Sequence, residues 1–281
     1  MNNNILLNGS AAVFEPHIFE VRELPFIFHY GIVENNSPFN IHENIEFLYF
    51  VGGETSVRYG AELIPVKSGD LVAVNTYVPH KIMASEGYCC HCLIVDKKFL
   101  RENGIDQSTL LFKRLIRDKI TEQLFCNVVS AYTEDSRLRT AEIRSAVLLF
   151  LLHLCKNHMA RADEASSGAL PGKEALRRIH NAISYIKSNL AKKLTVDDIA
   201  AHVHISKYHF LRQFKEITGE TVINYVRFLR CDHAKRLLIS GEHTVAETAM
   251  LTGFENASYF AATFKHYIGV TPREYLKRSQ N

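Results

Sequence analysis

Cys89-Cys90-His91-Cys92 has the side chains of a metal or redox cluster, because thiolates and imidazole nitrogens are the usual ligands of zinc. The run reads as a strand, however, and alternate side chains of a strand point to opposite faces. Cys90 and Cys92 then face one way and Cys89 and His91 the other, so the four cannot easily meet one ion. Reduced cysteines filling a wall are the expected role. Cys126, Cys155 and Cys231 are too scattered to complete a disulfide framework.

A second set of residues suits contact with DNA. Tyr208, Leu211, Arg212 and Lys215 share one face of a helix predicted from Lys207 to about Thr218, opposite Phe210, Phe214 and Ile217 at i, i+4 and i+7. Apolar support behind and hydrogen-bond donors in front are what a helix needs to enter the major groove. The elements that position this face are legible too. Thr195 is placed to cap a preceding short helix whose early carboxylates, Asp197 and Asp198, suit its positive end, and Ser206 caps the second.

The same arrangement occurs twice. Thr195-Val196-Asp197-Asp198-Ile199-Ala200 leads to Phe210, Phe214-Lys215, Gly219 and Thr221, while Thr244-Val245-Ala246-Glu247-Thr248-Ala249 leads to Phe260, Phe264-Lys265, Gly269 and Thr271. The offset is 49 residues before the turn and 50 after it, a one-residue difference in the turn of an internal repeat. In the second copy Asn256 takes the capping place and Gly253 lies in the turn. The outer residues Ala257, Ser258, Ala261 and Ala262 are all small. Short side chains cannot make the bidentate guanine contacts open to arginine, although alanine can lie against a thymine methyl. The first unit is therefore expected to read more sequence, through Ser206, Lys207, Tyr208, Leu211, Arg212 and Lys215. The second offers Asn256, Ala257, Ser258, Ala261, Ala262 and Lys265, with Lys265 and His266 mainly on phosphate.

Charge divides the chain in the same sense. Residues 1–172 hold 16 Lys and Arg against 20 Asp and Glu, a net of −4, whereas residues 173–281 hold 17 against 10, a net of +7. The basic part suits a polyanion and the acidic part does not. Between them, residues 161–172 are small and polar with a Pro-Gly stop, and read as a linker. The front of the chain has short runs rich in β-branched and aromatic residues, namely Phe26–Tyr30, Glu46–Val51, Thr55–Tyr59 and Asp70–Val74, with turn signals between them. They predict an antiparallel sandwich or barrel. Helical spacing follows, from Leu110 to Tyr132 and from Arg137 to His158. The second helix carries Ile143, Val147, Phe150, Leu151 and Leu154, more apolar surface than a small domain needs to cover, so these residues are assigned to a homodimer contact. No apolar run is long enough to span a membrane and the N-terminus lacks a signal-peptide pattern, so a cytoplasmic location is expected.

The stretch from about Lys173 to Arg278 resembles the DNA-binding domain of the AraC/XylS family of transcription regulators. The resemblance rests on Thr252-Gly253-Phe254-Glu255-Asn256-Ala257-Ser258-Tyr259-Phe260, Phe264-Lys265, Gly269-Val270-Thr271-Pro272 and Tyr275. It implies two helix-turn-helix units joined by a long helix, here Val222 to Ile239, inserted into successive major-groove segments on one DNA face. Thr248 stands where the family usually has an aliphatic residue, and Ala262 where arginine is common; the first loosens the second unit and the second puts its base reading in doubt.

The front part resembles the cupin-like domain of many family members, in Asn40-Ile41-His42-Glu43-Asn44-Ile45-Glu46, Gly69-Asp70 and Val78-Pro79-His80. Metal-binding cupins pair two histidines one residue apart with a glutamate and a later histidine. Asn40 replaces the first histidine, while His42, Glu46 and His80 remain. On a strand, positions 42 and 46 point the same way. Three roles compete for the trio: metal ligands of an enzyme or sensor, hydrogen-bonding groups for a polar effector, and buried polar residues satisfying one another. Arg58 either pairs with a carboxylate of Glu46 or of the effector, or is a solvated surface residue.

The expectation is an α+β multidomain chain: an effector-sensing barrel at 1–109, a helical dimerisation segment at 110–160, a linker at 161–172 and a DNA-binding domain at 173–281, with helix-turn-helix units at 195–218 and 244–267. Its partners would be promoter DNA, a small polar effector such as a sugar, a second copy and RNA polymerase. Activation is the expected output, with no catalytic residue, cofactor, metal or membrane contact. A metal-binding cupin enzyme, or a metal or redox sensor, fused to a DNA-binding domain is the alternative.

Overall fold

The computed structural model describes residues 17–18, 24–32, 39–83, 88–160 and 172–279. Alternating apolar residues in the front of the chain form two antiparallel sheets. The larger contains β1 (His17–Ile18), β2 (Phe26–Ile32), β3 (Ile45–Gly52), β6 (Leu71–Val74), β8 (Cys89–Val95) and β9 (Leu115–Ile116), in the order β1-β2-β8-β3-β6-β9. The smaller has the order β5-β4-β7, from β4 (Glu54–Tyr59), β5 (Glu62–Lys67) and β7 (His80–Ile82). The chain crosses from the larger sheet to the smaller at Gly52-Gly53, where Gly53 has φ 70°, and returns after Gly69, with φ 88°. Left-handed backbone of this kind favours glycine.

The expected barrel is thus two facing sheets that do not close into one ring of paired strands among the described residues. Leu48, Phe50, Val72, Val74 and Cys90 of the larger sheet meet Val57, Ile64, Val66 and Ile82 of the smaller in the space between them. The opposite face of the larger sheet is buried as well. Phe47, Tyr49, Leu71, Ala73 and Leu93 pack beneath α2 (Lys119–Thr133) and α3 (Arg139–Asn157). A sheet covered on both faces explains why β3 is apolar at nearly every position rather than alternating.

Two helical expectations need correction. The helix predicted from Leu110 begins only at Lys119, because residues 115–116 add a strand to the sheet edge and Asp118 caps α2 by accepting from the Ile120 and Thr121 amides. The five residues assigned to a dimer contact, Ile143, Val147, Phe150, Leu151 and Leu154, are fully buried in the chain's own core. Their apolar surplus is absorbed by the second face of the sheet, and they present no outer surface. Leu149 and Leu152, three residues apart, are the exposed large apolar residues of α3. Short helix α1 (Lys97–Glu102) links the sheet to this region.

The predicted linker lies outside the described residues apart from Gly172, which precedes α4 (Lys173–Ser188). Six helices follow: α5 (Val196–His202), α6 (Lys207–Thr218), α7 (Val222–Ser240), α8 (Val245–Leu251), α9 (Ala257–Ile268) and α10 (Pro272–Ser279). The repeat is structural as well as sequential. Thr195 and Thr244 each form a capping box, with Asp198 and Glu247, and Gly219 and Gly269 each end a helix in the left-handed conformation. Helix α7 joins two cores, giving Val222, Tyr225 and Leu229 to the first unit and Cys231, Ala234 and Leu238 to the second.

Candidate nucleic-acid interface and effector site

In the first unit, Phe210 and Phe214 are fully buried and Ile217 nearly so, which fixes the opposite face of α6 outward. Ser206 caps α6 by accepting from the His209 amide at 3.4 Å. Tyr208 is 84% exposed, and Lys215 is exposed as well. Lys207 Nζ holds Asp197 Oδ2 at 2.7 Å, and Arg212 reaches Glu216 Oε1 only loosely at 3.8 Å. An exposed ion pair of that length is weak, so Glu216 leaves the Arg212 guanidinium open to a stronger acceptor. Leu211, three residues after Tyr208 and four before Lys215 on α6, is partly buried, with part of its side chain against the first core. His209, which sequence reasoning passed over, is exposed on this helix.

The second unit presents Ala257, Ser258, Ala262, Lys265 and His266 to solvent, while Ala261 is partly buried. Asn256 caps α9, its Oδ1 accepting from the Tyr259 amide at 2.7 Å. Arg227 lies over the Tyr259 ring, 5.6 Å from its centroid. The two units are locked together at Arg230 of α7, which donates to Leu190 O at 3.0 Å and Lys192 O at 2.9 Å and stacks near Phe254.

In the front half of the chain, His42 and His80 converge on the buried carboxylate of Glu46. Glu46 Oε2 lies 2.8 Å from both His42 Nε2 and His80 Nε2, and Cys92 Sγ donates to Oε1 at 2.8 Å. His42 does not sit on a strand as expected: β3 starts at Ile45, and the bend before it swings the ring onto Glu46. Both Nδ1 atoms are occupied, donating to Asn44 O at 2.8 Å and Val78 O at 3.0 Å. Burial opposes ionisation of Glu46, but the two imidazoles outweigh it and hold the carboxyl well below its ordinary range. Burial likewise opposes charge on His42, and the Glu46 carboxylate overcomes it, raising the pKa above 6.5. Burial, then the Glu46 charge, keeps the Cys92 thiol protonated, and burial pushes Cys90 up to about 12.

The strand alternation expected for residues 89–92 holds. Cys90 and Cys92 face the space between the sheets, whereas His91 stacks on Phe28 and is pushed by burial down to about 4. Arg58 does not reach Glu46. Val57 occupies the inward position of β4, so the pleat turns Arg58 to the other face, where its guanidinium packs against Gly219 at the end of α6.

That face of the smaller sheet is where the two halves meet. Lys81 Nζ pairs with Glu220 Oε1 at 2.6 Å, Tyr77 packs edge-on to His180, and Lys187 reaches Asn40 Oδ1 at 3.5 Å. Phe39 and Ile41 are buried in the core of the first helix-turn-helix unit, and Tyr225 donates its hydroxyl to Phe39 O at 3.0 Å. Between them, Asn40 exchanges backbone hydrogen bonds with His80, both 2.9 Å. Nothing in the sequence pairs Phe39 with Tyr225, 186 residues away. The alternation Phe39-Asn40-Ile41-His42 is the one signal of a segment with two differently occupied faces.

Comparison with known proteins agrees with both halves. Residues 28–151 match the AraC-like ligand binding domain and residues 177–278 a helix-turn-helix domain. An HTH-type transcriptional regulator of Pseudoalteromonas carrageenovora is 30% identical over 126 residues, 44% of this chain and 75% of that protein. The chain belongs to the AraC family of transcription regulators. Two further relatives are each matched over less than half their length. The transcriptional activator RhaR of Yersinia pestis is 31% identical over 137 residues, 49% of this chain and 46% of that protein. The bifunctional transcriptional activator and DNA repair enzyme AdaA of Bacillus subtilis is 36% identical over 96 residues, 34% of this chain and 46% of that protein. An apo variant of ToxT from Vibrio cholerae has the same overall fold, with a TM-score of 0.56 at 17% identity, covering 91% of this chain and 98% of ToxT. As an AraC-family regulator the chain combines a ligand-binding domain with a DNA-binding domain, and among the described residues no helix is long and apolar enough to cross a membrane.

Proposed function

We propose that this AraC-family chain is a non-enzymatic, sequence-specific activator, controlled by a small polar effector such as a sugar that binds at Glu46, His42 and His80. The observation that carries this reading is the segment 39–42. Its odd residues, Phe39 and Ile41, lie in the core of the first DNA-binding unit, while Asn40 and His42 contact His80 and Glu46. An effector whose hydroxyl groups replace the histidines on Glu46 shifts Asn40 and His42, and with them the seat of α6. A ligand acts only through its different affinity for the two arrangements. Arg212 and Tyr208 read base edges, and Lys265 positions the second unit on phosphate. In this proposal the regulator works in the cytoplasm as a homodimer and recruits RNA polymerase, and Leu149 and Leu152 supply the outer apolar contact of α3.

A second reading has one observation in its favour. With both Nδ1–H groups tied to carbonyls, the two Nε2 atoms and the carboxylate present a ligand set for a divalent metal, in the way that ligating histidines are oriented by backbone acceptors. The test is a thermal-shift screen of sugars, other polar metabolites and divalent metals on the whole chain, alongside Glu46→Gln. A metabolite that raises the melting temperature of the wild type and not of the variant supports the effector site. A shift with metal that is lost in Glu46→Gln, with no metabolite shift, moves the site to the second reading, and a metabolite shift unchanged in Glu46→Gln removes Glu46 from the effector site.

A further inference from the structure

A second cluster with ligand chemistry lies on the helical hairpin. This hairpin covers the outer face of the larger sheet, whereas Glu46 occupies the inner side. Asp118, at the start of α2, meets His153 and His158 at the end of α3, and the three candidate ligand atoms all lie within 4.8 Å of one another. We propose that Asp118, His153 and His158 form a binding site for a divalent cation of the zinc class, joining the first turn of α2 to the end of α3.

The hydrogen bonding at Asp118 is lopsided in a way that such an ion would relieve. Oδ2 alone faces four donor groups: the Thr121 amide at 3.1 Å, the Thr121 hydroxyl at 2.7 Å, His153 Nε2 at 2.8 Å and His158 Nε2 at 3.2 Å. Among the described residues, Oδ1 receives only the Ile120 amide, at 3.3 Å. A carboxylate offers about four lone-pair sites over its two oxygens, yet two imidazoles and a threonine crowd one oxygen, with the Thr121 hydroxyl itself 3.3 Å from His158 Nε2. A cation among the three residues takes a lone pair from each Nε2, whose proton moves to Nδ1 or is released to solvent as the ion binds, and takes the carboxylate as its third ligand, so the crowding ends. Two imidazole nitrogens and one carboxylate oxygen are a ligand set that zinc uses with a further position left to water or an incoming group.

The scaffold is fixed before any ion arrives. Asp118 is held by its capping bonds, and His158 by backbone pairing with Lys113 and Leu154. Side-chain exposures of 27% for Asp118, 14% for His153 and 17% for His158 leave a route for an ion without leaving the ligands loose. Preorganisation of this kind is what distinguishes a metal site from histidines that meet by chance.

The experiment uses the whole chain stripped with a chelator. Zinc retention is measured by equilibrium dialysis, and Co2+ serves as the spectroscopic probe. The variants are Asp118→Asn, which keeps a good helix cap but loses the anionic ligand, His153→Gln, and His42→Gln as a control at the other cluster. The expected result is one equivalent of zinc in the wild type and in His42→Gln. In Asp118→Asn and His153→Gln the affinity falls at least tenfold and the cobalt ligand-field bands disappear, while the far-ultraviolet circular dichroism of Asp118→Asn is unchanged. Zinc held equally by the wild type, Asp118→Asn and His153→Gln would overturn the proposal, as would a wild type that retains none at micromolar free metal. If His153→Gln does not fold, Asp118→Asn alone decides.

Discussion

Replacing Gly253 by alanine should uncouple the two DNA-binding units. Gly253 has φ +83°, and a Cβ there would stand 2.5 Å from Leu190 O and 2.9 Å from the Arg230 guanidinium. The backbone conformation alone costs an L-residue roughly 1–2 kcal/mol. The clash adds to it, because Leu190 O is the acceptor for Arg230 Nε, and a lost hydrogen bond to a charged group is worth roughly 1.5–3 kcal/mol. Reduced freedom of the unfolded chain returns about 0.4–1 kcal/mol, leaving a net loss of roughly 2–4 kcal/mol. Gly241→Ala supplies the control: φ there is +69°, and no atom lies within 4 Å of the added Cβ. Urea unfolding should give Gly253→Ala a loss about 1.5–3 kcal/mol greater than that of Gly241→Ala. Titration with a duplex selected by the wild type should show weakened binding for Gly253→Ala well below its melting temperature. Equal losses for the two variants would mean that the contact with Leu190 carries no energy.

Arg212→Ala should weaken the selected duplex by roughly 1–3 kcal/mol more than random DNA, whereas Lys265→Ala should weaken both alike and lower the salt dependence by about one counterion; competition titrations at several salt concentrations separate the two. Thr248 is fully buried with its hydroxyl lacking a hydrogen-bond partner among the described residues, so Thr248→Val should stabilise the second unit by about 1 kcal/mol or more, read by urea unfolding; destabilisation would mean that the hydroxyl is satisfied. Glu46, with its pKa depressed, adds stability above the ordinary carboxylate range that is lost as pH falls toward its folded value; His42, with its pKa raised, adds stability below about 6.5 that is lost as pH rises through its folded value. Melting curves of the wild type should therefore fall off on both the acid and the alkaline side, and those of Glu46→Gln should be flatter on both; matching profiles would count against the cluster.

Much of the DNA-binding half was legible because its signals are local. Thr195, Ser206 and Asn256 cap within a few residues of themselves, and the spacing of Phe210, Phe214 and Ile217 is a helical face whatever surrounds it. The front half was legible in parts. The strands around Glu46, Thr55 and Leu71 lie where β-branched runs placed them, but whether they close a ring depends on pairings between distant strands that no local pattern encodes. The same limit explains α3. Ile143 and Leu151 read as surplus because the sequence does not reveal that the sheet beneath needs covering on its outer side. Arg58 failed for a related reason, since the face a strand turns inward is decided by its partner, and Val57 took that place. The convergence of His42, Glu46 and His80 was readable through family resemblance, but the thiol of Cys92 on the same carboxylate was not.

Hydroxyl-radical footprinting of the whole chain on a duplex isolated by its own selection tests the joint docking of the two units. Two helix-turn-helix units held by α7 and Arg230 should protect two backbone patches on one face of the DNA, about one helical turn or ~10 base pairs apart, with the patch under the first unit lost in Arg212→Ala. A single protected patch, or protection no stronger on the selected duplex than on random DNA, would contradict it.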